Sequence, residues 1–296
     1  MRSLLAVLVA LPVVLTAAAS PALAQQSAGA PTPGARASGF SGAFTGVADD
    51  ASAVFWNPAG LASGGFFSLV LDHSSRNEGS ATLLALSTPP LGLTYYRTAT
   101  GRAGDGRNSL VTHQAGATVV QSLADRIAVG ATLKVVHGEA RAGSGPRVSS
   151  NKVDLDVGVM AAGSLGRIGV VIHNVAEPSF DTSAGPLTLE RRVRGGLSLN
   201  LARKTMVSAD LDFNTTTDVA TGEPWREAAI GGEIQPVRKG WLRAGVHWNT
   251  AGDHATPGTT IGGSYAVYGG TLADAYVSFG SDDRTRGWGV GMRFVF

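Results

Sequence analysis

The chain of 296 residues has no cysteine, so neither a disulfide framework nor a thiolate metal site is open to it. Charge is scarce: Asp, Glu, Lys and Arg make up 16% of residues, and the net charge of +2 falls to +1 once Arg2 is set aside. That balance marks no nucleic-acid surface, and no nucleic-acid partner is expected. Beyond the N-terminal region no apolar run reaches the roughly 20 residues of a spanning helix, which argues against a helical membrane protein. The six histidines are scattered, with none at metal-ligand spacing to carboxylates. There is no G-x-S-x-G elbow and no phosphate-binding P-loop. Gly287-Trp288-Gly289-Val290-Gly291 is glycine-rich but sits in a strand pattern with no helix after it. No catalytic site, metal or cofactor is therefore expected, and the reading is non-enzymatic.

What is present begins with a secretory leader. Arg2, the apolar stretch Leu4 to Leu15 and the Ala22-Leu23-Ala24 cleavage pattern define a signal peptide over residues 1–24. Gln25 to Ser38, rich in Ala, Gly, Pro and Ser, reads as a flexible lead-in. Then comes VADDASAVFWNPAGLA, Val47 to Ala62. Asp49 and Asp50 are N-cap types, and Ala51 to Trp56 has room for about one and a half helical turns. Pro58 biases Asn57 away from the helical region, and Gly60 permits a sharp turn. The stretch is a capped helical turn that stops and is redirected.

From about Phe66 to Phe296 the pattern becomes period-two alternation punctuated by turn residues. About fourteen segments emerge, at 66–73, 80–88, 91–98, 109–121, 126–138, 151–162, 167–175, 189–201, 204–214, 225–235, 239–249, 257–267, 271–280 and 286–296. The spacing of about 16 residues per segment fits a spanning strand plus its connection. The connections alternate between tight ones, such as Pro89-Pro90, Ala124-Asp125, Arg203-Lys204 and Gly269-Gly270, and longer polar ones, such as Ser74–Gly79, Glu139–Ser150 and Ala176–Thr188. A β-sandwich has no reason to keep that order. A transmembrane antiparallel β-barrel does, with short periplasmic turns and longer outer loops.

Within strands, Val153, Leu155, Val157 and Val159 alternate with Asp154, Asp156, Gly158 and Met160. Likewise Val207, Ala209, Leu211 and Phe213 oppose Ser208, Asp210 and Asp212. Parity alone does not say which face is inside. Aromatic residues near strand ends (Phe66, Tyr95, Trp225, Trp241, Trp248, Tyr268, Phe279 and Trp288) fit interfacial girdles and favour the barrel. The last strand, ending in Phe296, resembles the C-terminal signal read by the outer-membrane barrel assembly machinery. The domain expectation is leader 1–24, lead-in and N-terminal hatch 25–64, and barrel 65–296. The localisation that follows is the outer membrane of a Gram-negative-type bacterium, with its lipid as the immediate partner.

ADDASAVFWNPAGLA resembles the N-terminal motif of the FadL-type outer-membrane transporters of hydrophobic compounds, and is similar to that of the related PorV/PorQ proteins. The likeness covers Gly42 to Ala62, with Asn57, Pro58 and Ala59 on the family's turn, flanked by Gly60 and the Asp49-Asp50 pair. It implies a short helical hatch in the lumen of a barrel of about fourteen strands. Such a lumen is too wide for side chains alone to fill. Its expected lining is Asp154, Asp156, Arg192, Arg194, Asp210, Asp212, Glu227, Glu233 and Arg243, paired across neighbouring strands. His113, His137, His173 and His247 are expected in lumen or loops, and Gly92 offers a place for a wall defect. The outer loops are shorter than in the fatty-acid transporters of that family, where such loops help form a capture groove. The resemblance implies passive uptake of hydrophobic small molecules, fatty acids or aromatics, gated by the hatch. The alternative it implies is a PorV/PorQ-like adaptor in protein secretion or surface attachment.

Overall fold

The computed structural model describes residues 32–101, 107–251, 257–281 and 285–296; the leader lies outside them. In chain order, helix α1 (Ala35–Gly39), helix α2 (Ala53–Trp56) and a 3-10 turn (Pro58–Ser63) precede the strands. These are β1 (Ser68–Arg76), β2 (Gly79–Thr88), β3 (Leu91–Thr100), β4 (Ser109–Ala124), β5 (Ile127–Arg141) and β6 (Val148–Ala162). There follow β7 (Gly166–His173), β8 (Ser179–Phe180), β9 (Leu187–Thr188), β10 (Arg192–Ala202), β11 (Thr205–Asp212) and β12 (Thr216–Thr217). The chain ends with β13 (Pro224–Trp225), β14 (Glu227–Val237), β15 (Gly240–Asn249), β16 (Gly258–Tyr268), β17 (Thr271–Gly280) and β18 (Gly287–Val295). All except the two-residue strands join in one closed antiparallel barrel of fourteen strands, each beside its sequence neighbour. The ring closes where β1 pairs with β18, Ser68 opposite Val295. Phe67 and Phe296 then exchange backbone hydrogen bonds of 3.0 and 2.9 Å.

Alternation sets the faces, and burial says which is which. On β5, Leu133 is 59% exposed, Lys134 1% and Val135 54%. The apolar residues point outward and the charges inward, the reverse of a water-soluble protein. Only a barrel whose outer wall meets lipid is stable with that arrangement. At the long-loop end of β1–β6 the outward row turns polar. The register aligns His73, Thr82, Arg97, His113, His137 and Asn151 at one level, above Leu71, Leu84, Val135 and Val153. This row marks the edge of the apolar band. His113 and His137 are therefore on the outer wall, not in the lumen, with His113 bonded to Tyr95 and His137 to Asn151. His173 and His247 do face inward and are buried.

Several expectations need correction. Residues from Ala35 to Ser38 are not a flexible lead-in but a buried helix. Ser74–Gly79 is not a long loop: strand pairing leaves only Asn77-Glu78 as the turn, so the alternation of connection lengths begins one hairpin later. Trp225 is buried in the β12–β13 hairpin and takes no part in a girdle. Gly92 opens no defect, since it pairs with Ser87 and Thr118 in unbroken ladders. Its missing side chain instead makes room for Leu61 and Val54.

Candidate functional site

The lumen is filled by residues 34–61, nearly all of them buried. Where the backbone of this plug or the Asn57 side chain presses closest, the wall gives way to it with glycine. A Cβ on Gly130 would lie 2.4 Å from Pro58 C, and one on Gly158 2.1 Å from Asn57 Oδ1. Similarly, one on Gly196 would lie 2.7 Å from Gly46 N, and one on Gly231 2.5 Å from Phe40 O. Much of the chain's unusual glycine content is thus spent on the inner face.

The Asn57-Pro58-Ala59-Gly60 turn is the tie between plug and wall. Asn57 is extended (φ −165°, ψ 104°), as the following proline requires, and its Oδ1 accepts from Ala59 N at 3.2 Å. Its Nδ2 donates to Thr45 O within the plug and to Val159 O of β6, both at 3.2 Å. Gly60 is obligatory for a different reason: a Cβ there would sit 2.0 Å from Ala48 O.

Asp49 and Asp50 do not cap α2. Its N-cap is Ser52, which makes no side-chain capping bond, and the helix is a single turn. Asp49 instead joins Arg36 to Arg167 of the wall, the latter at 2.9 Å. Asp50 takes Arg36 at 3.0 Å, Arg293 of β18 at 3.5 Å and Ser52 N at 2.9 Å. Burial opposes the charge on Asp49, but Arg36 and Arg167 outweigh it and hold its carboxyl at about 2. The same pairing, with Glu233, holds the Arg36 guanidinium well above its usual value despite burial.

The expected lining residues all face inward and fall into three clusters. In the first, Lys134 Nζ lies 2.9 Å from Asp154 and 2.8 Å from Asp156. In the second, Arg194 reaches Asp210, Asp212 and Glu227, each at 3.0 Å, while Arg192 takes Asp212 at 2.8 Å. Its surplus acid is met by backbone donors, since Asp210 Oδ2 accepts from Phe44 N at 3.1 Å and Thr45 N at 2.9 Å. In the third, Arg243 bonds Glu233 at 2.6 Å and Asp274 at 3.3 Å, and Arg293 bonds Asp274 at 2.6 Å.

Sequence reasoning missed Lys134, Asp72, Asp274, Arg293, Arg36 and Arg167. Asp72 accepts from Gly34 N at 3.0 Å and Ala35 N at 2.6 Å, so it anchors the start of α1. Each missed wall residue except Arg167 is a lone charge at inward parity in an otherwise uncharged strand stretch, and that parity is the signal that could have found it.

The plug carries an aromatic spine. Phe40, Phe44, Trp56 and Phe55 succeed one another at ring separations of 5.8, 6.0 and 5.4 Å, and Phe55 meets Tyr96 of β3 at 5.3 Å. Above it, the β8–β9 hairpin turns inward and lays Phe180 against Gly138. Leu110, Val136, Ala140, Leu187, Leu189 and Val219 complete that second apolar cluster. Below, at the tight-turn mouth, a polar cavity of about 210 Å³ lies between plug and wall, lined by Arg36, Asp49, Arg167, Lys204 and Glu233 among others. A water-sized gap of about 10 Å³ lies beside Asp72. Among the described residues no group of three His, Cys, Asp or Glu could hold a metal ion.

Fold and site together define a membrane-spanning barrel of fourteen strands, closed in its lumen by its own N-terminal segment. The fold is that of the FadL-type proteins. The chain is similar in structure to a FadL homologue from Pseudomonas aeruginosa, at 11% identity and TM-score 0.63, covering 89% of this chain and 98% of that one. It is also similar to the toluene transporter TodX of Pseudomonas putida, at 14% identity and TM-score 0.55, covering 82% and 91%. A TodX monoaromatic hydrocarbon channel variant gives 13% identity and TM-score 0.57, covering 86% and 96%. No protein-family model and no curated protein sequence matches the chain.

Proposed function

We propose that this protein is a non-enzymatic outer-membrane channel for the passive uptake of hydrophobic small molecules, with residues 34–61 as its gate. The observation that carries the reading is the pairing of two features in one lumen. An apolar cluster built on Phe180 lies at the long-loop end, and the Phe40–Phe55 aromatic spine continues beneath it within the plug. The fold shared with the toluene transporter and hydrocarbon channel TodX supports it. The charged clusters serve structure: those of Arg194 and Arg293 hold the plug, that of Lys134 ties β5 and β6 to Asn174, and none presents anything that an apolar ligand needs. Opening then means local release of the 57–60 turn rather than ejection of the plug. The N-terminal leader is cleaved after Ala24 on export, and Phe296 serves the assembly machinery.

The test is native mass spectrometry of the purified barrel with long-chain fatty acids and monoaromatics, followed by uptake into vesicles. Binding of an apolar ligand, with uptake lost or leakage raised in Asn57→Ala, is expected; no apolar ligand in either assay sinks the reading. The adaptor alternative is favoured by the density of plug-to-wall bonds, which suits a static barrel. A stable protein partner in membrane pull-downs together with absent small-molecule binding would replace the channel reading with it.

A further inference from the structure

The outer wall is not uniformly bulky. On β15–β17 the outward positions near the tight-turn end shrink to Gly240, Gly263, Ala273 and Ala275, where neighbouring outward positions hold Leu242, Ile261, Val277 and Tyr265. Register places Gly263 between Leu242 and Ala275, and Tyr265 between Gly240 and Ala273. The ladders shift register near the tight turns, at Ile234/Val237 of β14 and at Ala266/Tyr268 of β16. The result is an apolar groove of about 540 Å³ on the lipid-facing wall, edged by Pro236 and Val237.

The groove runs up to the β14–β15 turn, whose two residues are Arg238 and Lys239, both exposed. Across β11 and β14, which pair directly, the β10–β11 turn carries Arg203 and Lys204, also exposed. None of the four has an ion pair among the described residues. Of the other tight turns, Pro89-Pro90, Gly163-Ser164-Leu165 and Gly269-Gly270 carry no cation and Asp125-Arg126 carries one beside an acid, so four of the five turn cations are gathered in one quadrant of the rim. A groove shaped for a chain of methylenes, ending at clustered cations at the depth where headgroups lie, matches one kind of molecule.

We infer that this groove is a binding site for an anionic phospholipid of the leaflet at the tight-turn end. One acyl chain lies over Gly263 and Ala275, and the phosphate sits at Arg238 and Lys239. The inference rests on the fold and the outer wall, and is independent of what the lumen passes.

Native mass spectrometry of the whole barrel, released from vesicles of phosphatidylglycerol mixed with phosphatidylcholine, tests it. Wild type is expected to retain phosphatidylglycerol selectively. Arg238→Gln with Lys239→Gln should weaken that retention by about 30-fold, the effect of two cations at an anionic lipid surface. Ala273→Leu with Ala275→Leu fills the groove on the exposed wall and should abolish retention while leaving the charges in place. Arg126→Gln, on the distant β4–β5 turn, should change nothing. Equal retention of both lipids, unchanged retention in the filled-groove variant, or a lipid-free dimer seated on this face would each overturn the assignment.

Discussion

Gly130→Ala is the sharpest test of how the plug is held. Gly130 faces inward on β5 beside Gly158 of β6, against the Pro58-Ala59 peptide. The added methyl would lie 2.4 Å from Pro58 C and 2.5 Å from Ala59 N. Both atoms are backbone, in a turn whose path Asn57 and the proline ring already dictate, and the methyl's own strand is locked into two ladders. No flexible side-chain tip is there to move aside, so the cost belongs at the upper end of overpacking, about 3 kcal/mol. Unseating the 57–60 turn relieves it, and the unseated population should then rise about 100-fold. The absence of cysteine makes this measurable: Leu61→Cys, at a buried plug position, supplies the only thiol in the chain. Its labelling by a water-soluble maleimide reports the open population, provided reclosing outpaces labelling. Gly163→Ala is the control, because its methyl meets only Gly166 O at an ordinary 3.5 Å. If Gly130→Ala labels no faster than this control and unfolds at the wild-type midpoint, the wall glycines do not set the plug's position.

Lys134→Met should cost about 3–5 kcal/mol in denaturant unfolding of the vesicle-embedded barrel, because it strands Asp154 and Asp156 without their cation. Adding Asp154→Leu and Asp156→Leu should recover most of that loss. Asp49 is held at about 2, below its ordinary 3.8, so its contribution is full above about pH 4 and fades as pH falls toward 2; Asp49→Asn should flatten this acid branch in thermal unfolding. Glu190, beside β10, has the opposite sign. Burial, with Glu177 nearby, outweighs its bond from Thr217 N and raises it from 4.5 to about 7. Its contribution is therefore present below about pH 4.5 and lost as pH rises through 7, and Glu190→Gln should remove that alkaline loss.

The fourteen spanning strands were legible because lipid enforces one apolar face on every strand, and period two survives single-residue errors in the boundaries. The Asn57-Pro58 turn was legible for a local reason, since proline constrains its predecessor wherever the segment docks. Roles that depend on distant partners were not. Asp49 and Asp50 look like caps in isolation, and only Arg167 and Arg293, more than a hundred residues away, turn them into links to the wall. Glycine was counted but not placed. At inward parity Gly92, Gly130, Gly158 and Gly196 mark where something else fills the lumen, whereas outward glycines such as Gly263 dent the lipid face.

The plug's bonds are shared among β1, β10, β11, β16 and β18, through Asp72, Ser198, Asp210, Thr260 and Arg293. No partial sheet therefore offers it a complete bed. Its last partner, Arg293, arrives only as β18 meets β1 three residues from the end of the chain. A fully bonded plug therefore requires the closed cylinder, and the closed cylinder supplies every one of these partners at once.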